Sequence, residues 1–215
     1  LQNLPVIFCL DRSGLVGEDG ATHHGVFDIA YLRCIPNMII YAPMNEIALR
    51  NILYTAQLGL NHPIAIRYPR GRGITVDWQK PFEVIEIGIG KCLKQGTKTA
   101  VISSGTIGNN VIEAFSKMEN TDAFAHYDFA FVKPLDEKLL HLIFNTYQSI
   151  ITIEDGAIKG GFGSAIVEFS KEHDYTTPIK TLGIPDQFIE HGSIAELQKL
   201  CGIDMESLMV VLKNA

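Results

Sequence analysis

Three short apolar runs open the chain, PVIFCL at 5–10, NMIIYAP at 37–43 and PIAIRYP at 63–69, and stretches with helical spacing separate them. This alternation limits the fold more than any other feature. Each run is bounded by polar turn residues and is too short for a buried helix, so it reads as a strand covered on both faces. Between the runs, GVFDIAYLRCI at 25–35 places apolar residues at helical spacing and stops before Pro36. In NEIALRNILYTAQLGL at 45–60, Leu49 and Leu53 pair one turn apart, as do Ile52 and Ala56, and Asn45 stands at the N-cap position. Strand, helix, strand, helix, strand implies a parallel sheet with crossover helices.

The rhythm then breaks. GRGITVDWQKP at 71–81 has Gly, Pro and charge but no periodicity, and reads as a linker. EVIEIGIGKCLKQG at 83–96 alternates like a hairpin. Strand patterns follow at 99–105, 125–135, 149–155 and 178–186, with helical patterns at 107–118, 136–147, 160–173, 193–202 and 205–214. The expectation is α/β, with two three-layer units built on parallel or mixed sheets and a boundary near Asp77: residues 1–77 and 78–215. Three strands are few for an independent parallel sheet. Together with the start at Leu1, directly on an apolar run, this suggests a piece cut from a longer protein.

Several function classes fall away on composition. A net charge of −6 argues against general nucleic-acid binding, which needs basic surface to neutralise phosphates. The apolar runs fall far short of the ~20 residues a membrane helix needs, and no signal-peptide pattern is present. Cys9, Cys34, Cys92 and Cys201 are scattered without a CxxC pair, so a zinc site is not expected. Three of them lie in apolar patterns and read as buried thiols in a reducing cytoplasm.

Ligands of open α/β sheets bind outside the carboxyl ends of the strands. Three polar clusters fall there: Arg12 to Gly25 after the first strand, Arg67 to Arg70 after the third, and Glu154 to Gly163 later. In the first, Asp19 and His23 flank a Gly-Ala-Thr turn that leads into a helix. His23 is suited to donate to a substrate oxygen, and Asp19 to accept from a hydroxyl or orient the imidazole; the plainer alternative is a solvated loop. His24 is the weaker candidate, because adjacent residues at a helix start point in different directions. Arg70 and Arg12 have the shape for a phosphate clamp, against the alternative of surface arginines in ion pairs. EDGAIKGGFGSA at 154–165 matches neither a Walker A loop nor GxGxxG, so close helix packing is its expected role. His191 reads as structural.

Taken as a set, DRSGLVGEDGATHHGVFDIAYLRCIPNMIIYAP, PIAIRYPRG, GTIGNNVIEA, VKPLDEKLL, EDGAIKGGFGSA and GIPDQFIEHGS resemble the 1-deoxy-D-xylulose-5-phosphate synthases, thiamine-diphosphate enzymes of the transketolase superfamily. The likeness covers essentially the whole chain. It implies that residues 1–77 are the carboxyl-terminal part of a pyrimidine-binding domain and residues 78–215 a transketolase C-terminal domain.

The resemblance further implies the joining of pyruvate to D-glyceraldehyde 3-phosphate with loss of CO2, in a cytoplasmic homodimer. Thiamine diphosphate and Mg2+ would be held mainly by a region before Leu1, as would the family's essential acid, so this chain alone would be inactive. Arg12 and Arg70 match positions that bind the acceptor's phosphate. Asp19 and His23 match positions that contact substrate near the reacting carbons, with His23 as the catalytic candidate. The rivals are a transketolase, a 2-oxoacid dehydrogenase β subunit, or a noncatalytic assembly module.

Overall fold

The computed structural model describes residues 2–74 and 79–215. The expected boundary at Asp77 lies outside them. The first unit holds β1 (Ile7–Leu10), α1 (Asp28–Arg33), β2 (Ile39–Tyr41), α2 (Glu46–Gln57) and β3 (Ile64–Arg67). The second holds β4 (Lys91–Lys94), β5 (Thr99–Ser104), α3 (Gly108–Lys117), β6 (Phe124–Asp128), β7 (Phe131–Lys133) and α4 (Glu137–Thr146). It continues with β8 (Ser149–Ala157), α5 (Phe162–Glu172), β9 (Ile179–Ile184), α6 (Ile194–Leu200) and α7 (Met205–Lys213). Asn45 caps α2 as its position suggested, accepting from the Ala48 N–H at 3.0 Å.

The strands form two mixed sheets. One runs β1-β3-β2-β7 and the other β4-β6-β5-β8-β9. All pairings are parallel except β2 with β7 and β4 with β6. The stretch 125–135 is therefore two strands in different sheets, not one. Its chain leaves β6 at Phe129, whose N–H bonds to Ser103 O, and Ala130 O accepts from Ala42 N–H at 2.7 Å. That second bond hands the chain over to the first sheet, which gains its fourth strand from the second unit.

Three other expectations need correction. The segment 83–96 is not a hairpin: only Lys91–Lys94 is a strand, at a sheet edge against β6. Nor is β1 buried. It is the edge of its sheet: Ile7 and Phe8 are exposed, and only Leu10 packs partly against the shared core. Cys9, Cys34 and Cys92 are exposed and Cys201 half-buried, contrary to the expectation of buried thiols. Cys9 and Cys92 lie on edge strands, where apolar spacing does not mean burial.

The largest apolar cluster is shared by the units. Ile29, Leu32 and Ala65 of the first pack with Tyr127, Phe129 and Phe162 of the second. At the start of α5 the glycines of 160–163 pack as expected. A Cβ on Gly161 would lie 2.2 Å from Ala157 O, and one on Gly163 2.7 Å from Thr152 Oγ1. The free N–H groups of that helix start are taken by Glu154, whose two carboxylate oxygens accept from Phe162 and Gly163 at 2.8 Å each. Burial pushes Glu154 up to about 7, resisted by those two amides and by Arg67.

Helix α6 begins with a complete capping box, Ser193 and Glu196 exchanging side-chain to backbone bonds. Ser193→Ala is expected to cost about 1 kcal/mol in a urea melt, and Ser193→Asp much less. Equal melts for wild type and Ser193→Ala would show that the cap carries no stability.

Candidate functional site

The parallel register of β1 and β3 sets the site. Leu10 lies opposite Arg67, and the ladder continues through Tyr68 N–H to Leu10 O and Ser13 N–H to Tyr68 O. Residues just beyond each strand therefore emerge side by side from one edge of the sheet. Arg12 is among them, in the left-handed backbone region at φ 62°. Gly25 closes the loop onto it: its N–H bonds to Arg12 O at 3.0 Å, and a Cβ there would sit 2.2 Å from the same oxygen. Only glycine fits that approach.

Asp19 ends a 3-10 turn at Gly17–Asp19. Its Oδ2 lies 2.7 Å from Arg70 Nη1 and 4.0 Å from Arg12 Nε. Two guanidinium groups from two strand ends thus converge on one carboxylate oxygen. Arg12 also pairs with Asp11 through Nη1, while its buried Nε has no hydrogen-bond partner among the described residues. His23 is exposed, with Nδ1 3.0 Å from Thr22 Oγ1, which leaves the rest of the ring to solvent. Arg12, Asp19 and Arg70 share one rim of the first unit, and His23 lies on the loop that carries Asp19. A pair of partly exposed guanidiniums has the chemistry to bind a phosphate, and an exposed imidazole the chemistry to move a proton.

His24 is a different matter. It is buried, its Nδ1 accepts from Val16 N–H at 3.0 Å, and its Nε2 faces Glu190 O at 3.4 Å. That fixes the tautomer with the proton on Nε2 and makes the ring a structural link to the second unit. His191 is exposed, and its Cβ lies 3.3 Å from where a Cβ on Gly20 would be. It buttresses the loop. A cleft of about 580 Å³ opens next to Arg70, walled by Ser13, Arg70 and Arg72 on one side and Thr106, Asn109 and Asp155 on the other.

Arg67 does not join the clamp. It is 1% exposed. Its Nε donates to Asp28 at 2.8 Å, its Nη1 to Asp155, and its Nη2 to Gly25 O at 3.0 Å. Burial alone would lower its pKa, but Asp155 and Asp28 reverse this and hold the guanidinium charged. Sequence reasoning placed Arg67 inside the third strand pattern and Arg70 past its end, and did not foresee the two carboxylate partners of Arg67.

Among the described residues, no group of three or more His, Cys, Asp or Glu side chains could hold a metal ion, and no helix is long and apolar enough to cross a membrane.

Residues 1–73 match the transketolase pyrimidine binding domain, and residues 88–208 match the transketolase C-terminal domain. Curated relatives named 1-deoxy-D-xylulose-5-phosphate synthase are 56% identical in Bacteroides thetaiotaomicron, 55% in Parabacteroides distasonis and 44% in Vibrio vulnificus. They match over 97%, 100% and 100% of this chain, which spans about a third of their length (32%, 34% and 34%). A solved structure described as "Split gene transketolase, inactive beta4 tetramer" superposes with a TM-score of 0.82 at 26% identity, over 99% of this chain and 67% of that one. The transketolase of Campylobacter jejuni shares the fold, with a TM-score of 0.70 at 19% identity over 97% of this chain and 31% of that one.

Proposed function

The chain belongs to the transketolase family, with sequence from its pyrimidine-binding and C-terminal domains, and from that premise we propose that it forms the carboxyl-terminal third of a 1-deoxy-D-xylulose-5-phosphate synthase. Relatives of that name, 44–56% identical over nearly all of this chain, support the reading. In the full-length protein the reaction joins pyruvate to D-glyceraldehyde 3-phosphate and releases CO2, as a supply of isoprenoid precursors. The working form is a homodimer in the cytoplasm.

The observation that carries the reading is the convergence of Arg70 and Arg12 on Asp19 Oδ2, with His23 on the same loop. In this reading Arg70 and Arg12 take the phosphate of the aldehyde acceptor. Asp19 accepts from a substrate hydroxyl. His23 exchanges a proton with the carbonyl oxygen as charge develops there.

Thiamine diphosphate supplies the stabilised carbanion when bound. The described residues do not fit its diphosphate and Mg2+: they offer no metal-ligand cluster, and Glu154 fills the glycine-rich helix start. The rest of the protein holds that end of the cofactor. This chain alone is inactive in this reading, and the solved β4 tetramer of a split-gene transketolase is likewise described as inactive.

The test uses the full-length protein with thiamine diphosphate and Mg2+. CO2 release from pyruvate is measured alone, with glyceraldehyde, and with glyceraldehyde 3-phosphate. Fast release is expected only with the phosphorylated aldehyde. Release indifferent to the aldehyde would move the protein to a pyruvate-decarboxylating relative.

A further inference from the structure

Arg67 lies on the same face of β3 as Ala65, facing the core that the two units share. Its guanidinium has three partners from three places: Asp28 at the start of α1, Asp155 in β8 of the second unit, and the carbonyl of Gly25. Gly25 is the residue that closes the loop onto Arg12, through Gly25 N–H to Arg12 O, Gly25 N–H to Gly14 O and Gly14 N–H to Gly25 O. Asp155 also reaches the loop directly: a Cβ on Gly14 would meet Asp155 Oδ2 at 2.9 Å. Ala157 N–H, two residues further along β8, bonds to Val26 O at 2.7 Å.

We propose that Arg67 is a positioning residue for the phosphate clamp. Bridging Asp28 and Asp155, it holds the Gly25 carbonyl and so fixes the left-handed turn from which Arg12 projects. The inference rests on the clamp reading above. Arg67 touches no substrate in it, because all of its side chain is enclosed. Its planar fork is what the site requires: Nε, Nη1 and Nη2 each serve a different acceptor. The single ammonium of lysine cannot reach all three from one point.

The expected signature is a split between kinetic constants. A slack turn misplaces Arg12 without touching the pyruvate end. A displacement near 1 Å away from the chemistry can cost on the order of 100-fold. A residue that only stabilises the fold would instead lower the active fraction, and kcat would fall with every KM unchanged.

The experiment compares wild type, Arg67→Lys, Asp155→Asn and Arg70→Ala in the full-length protein, loaded with thiamine diphosphate and Mg2+. Arg67→Lys is expected to raise the KM for glyceraldehyde 3-phosphate about tenfold or more, with pyruvate KM and cofactor affinity near wild type. Asp155→Asn, which keeps the volume and an accepting oxygen, is expected to shift the same constant in the same direction by less. If Arg70→Ala raises that KM and neither Arg67→Lys nor Asp155→Asn does, the positioning role is overturned and the clamp stands. If Arg70→Ala leaves it unchanged, the clamp reading itself has failed. If Arg67→Lys and Asp155→Asn both fail to fold or to bind the cofactor, Arg67 is a stability residue of the whole unit, and the inference is overturned.

Discussion

Replacing Arg70 with alanine in the full-length protein is expected to raise the KM for D-glyceraldehyde 3-phosphate roughly 100-fold, with the pyruvate constant and cofactor binding little changed. A hydrogen bond to a charged group contributes about 1.5–3 kcal/mol, and 1.4 kcal/mol is a factor of ten. Arg70 can give a phosphate two such bonds from its fork, while Arg12 remains to hold part of the charge. The ion pair with Asp19 that Arg70 gives up is a modest opposing cost, since partly exposed pairs contribute about 0–1 kcal/mol. Arg70→Lys should recover part of the loss, because charge is kept and the fork is not. A KM within about threefold of wild type in Arg70→Ala would be under 1 kcal/mol, too small for a clamp residue.

Local pattern was enough for much of this architecture. The strand and helix order from β1 to β3 follows from apolar spacing, and Asn45 was legible as a cap because a cap acts within one turn. The polar loop was legible too, since it follows a strand in an α/β order. What failed was long-range. Arg67 reads as one more arginine in a polar cluster at a strand end because its partners Asp28 and Asp155 are 39 and 88 residues away. The run AHYDFAFVKPL has no Gly or Pro between Asp128 and Phe131, so the transfer from β6 to β7 leaves no local mark. β1 looks like a buried strand because an apolar run does not report whether a neighbour covers it. His24 and His23 are adjacent, and only the backbone direction decides which is enclosed.

Asp128 gives the largest expected pH effect on stability. Its carboxyl is enclosed at the end of β6, with Oδ1 lacking a hydrogen-bond partner among the described residues. Burial raises it from 3.8 to about 7, against the pull of Lys91 across the ladder. The sign follows from proton uptake: between those values the folded state binds the proton and the unfolded state does not. The folded state therefore gains stability as pH falls from about 7 toward 3.8, and loses it as pH rises. At 1.36 kcal/mol per unit, the contribution between pH 8 and pH 5 is roughly 3 kcal/mol.

His126 works the other way. Burial lowers it to about 4, so stability is lost as pH falls below the ordinary imidazole value of 6.5. Asp128 and Glu154, the latter raised from 4.5 to about 7, slope the same way, and His126 offsets only part of those two contributions. Asp128→Asn removes one of them. Urea melts at pH 8 and pH 5 should then show the variant losing stability toward pH 5 relative to wild type by that amount. Parallel profiles for the two proteins would mean that Asp128 ionises at its ordinary pKa.

The antiparallel pairing of β2 with β7 also has a meaning in time. Ile40 and Tyr41 are made about ninety residues before their partners Lys133 and Phe131. At a synthesis rate of about 5–20 residues per second, the gap lasts on the order of 5–20 seconds. For that interval the nascent first sheet has an open ladder on its β2 side, the kind of edge that recruits other chains. A ribosome pause between these segments lengthens the exposure, and faster decoding shortens it. Codon choice over residues 42–130 therefore bears on the yield of soluble protein, although it changes no side chain.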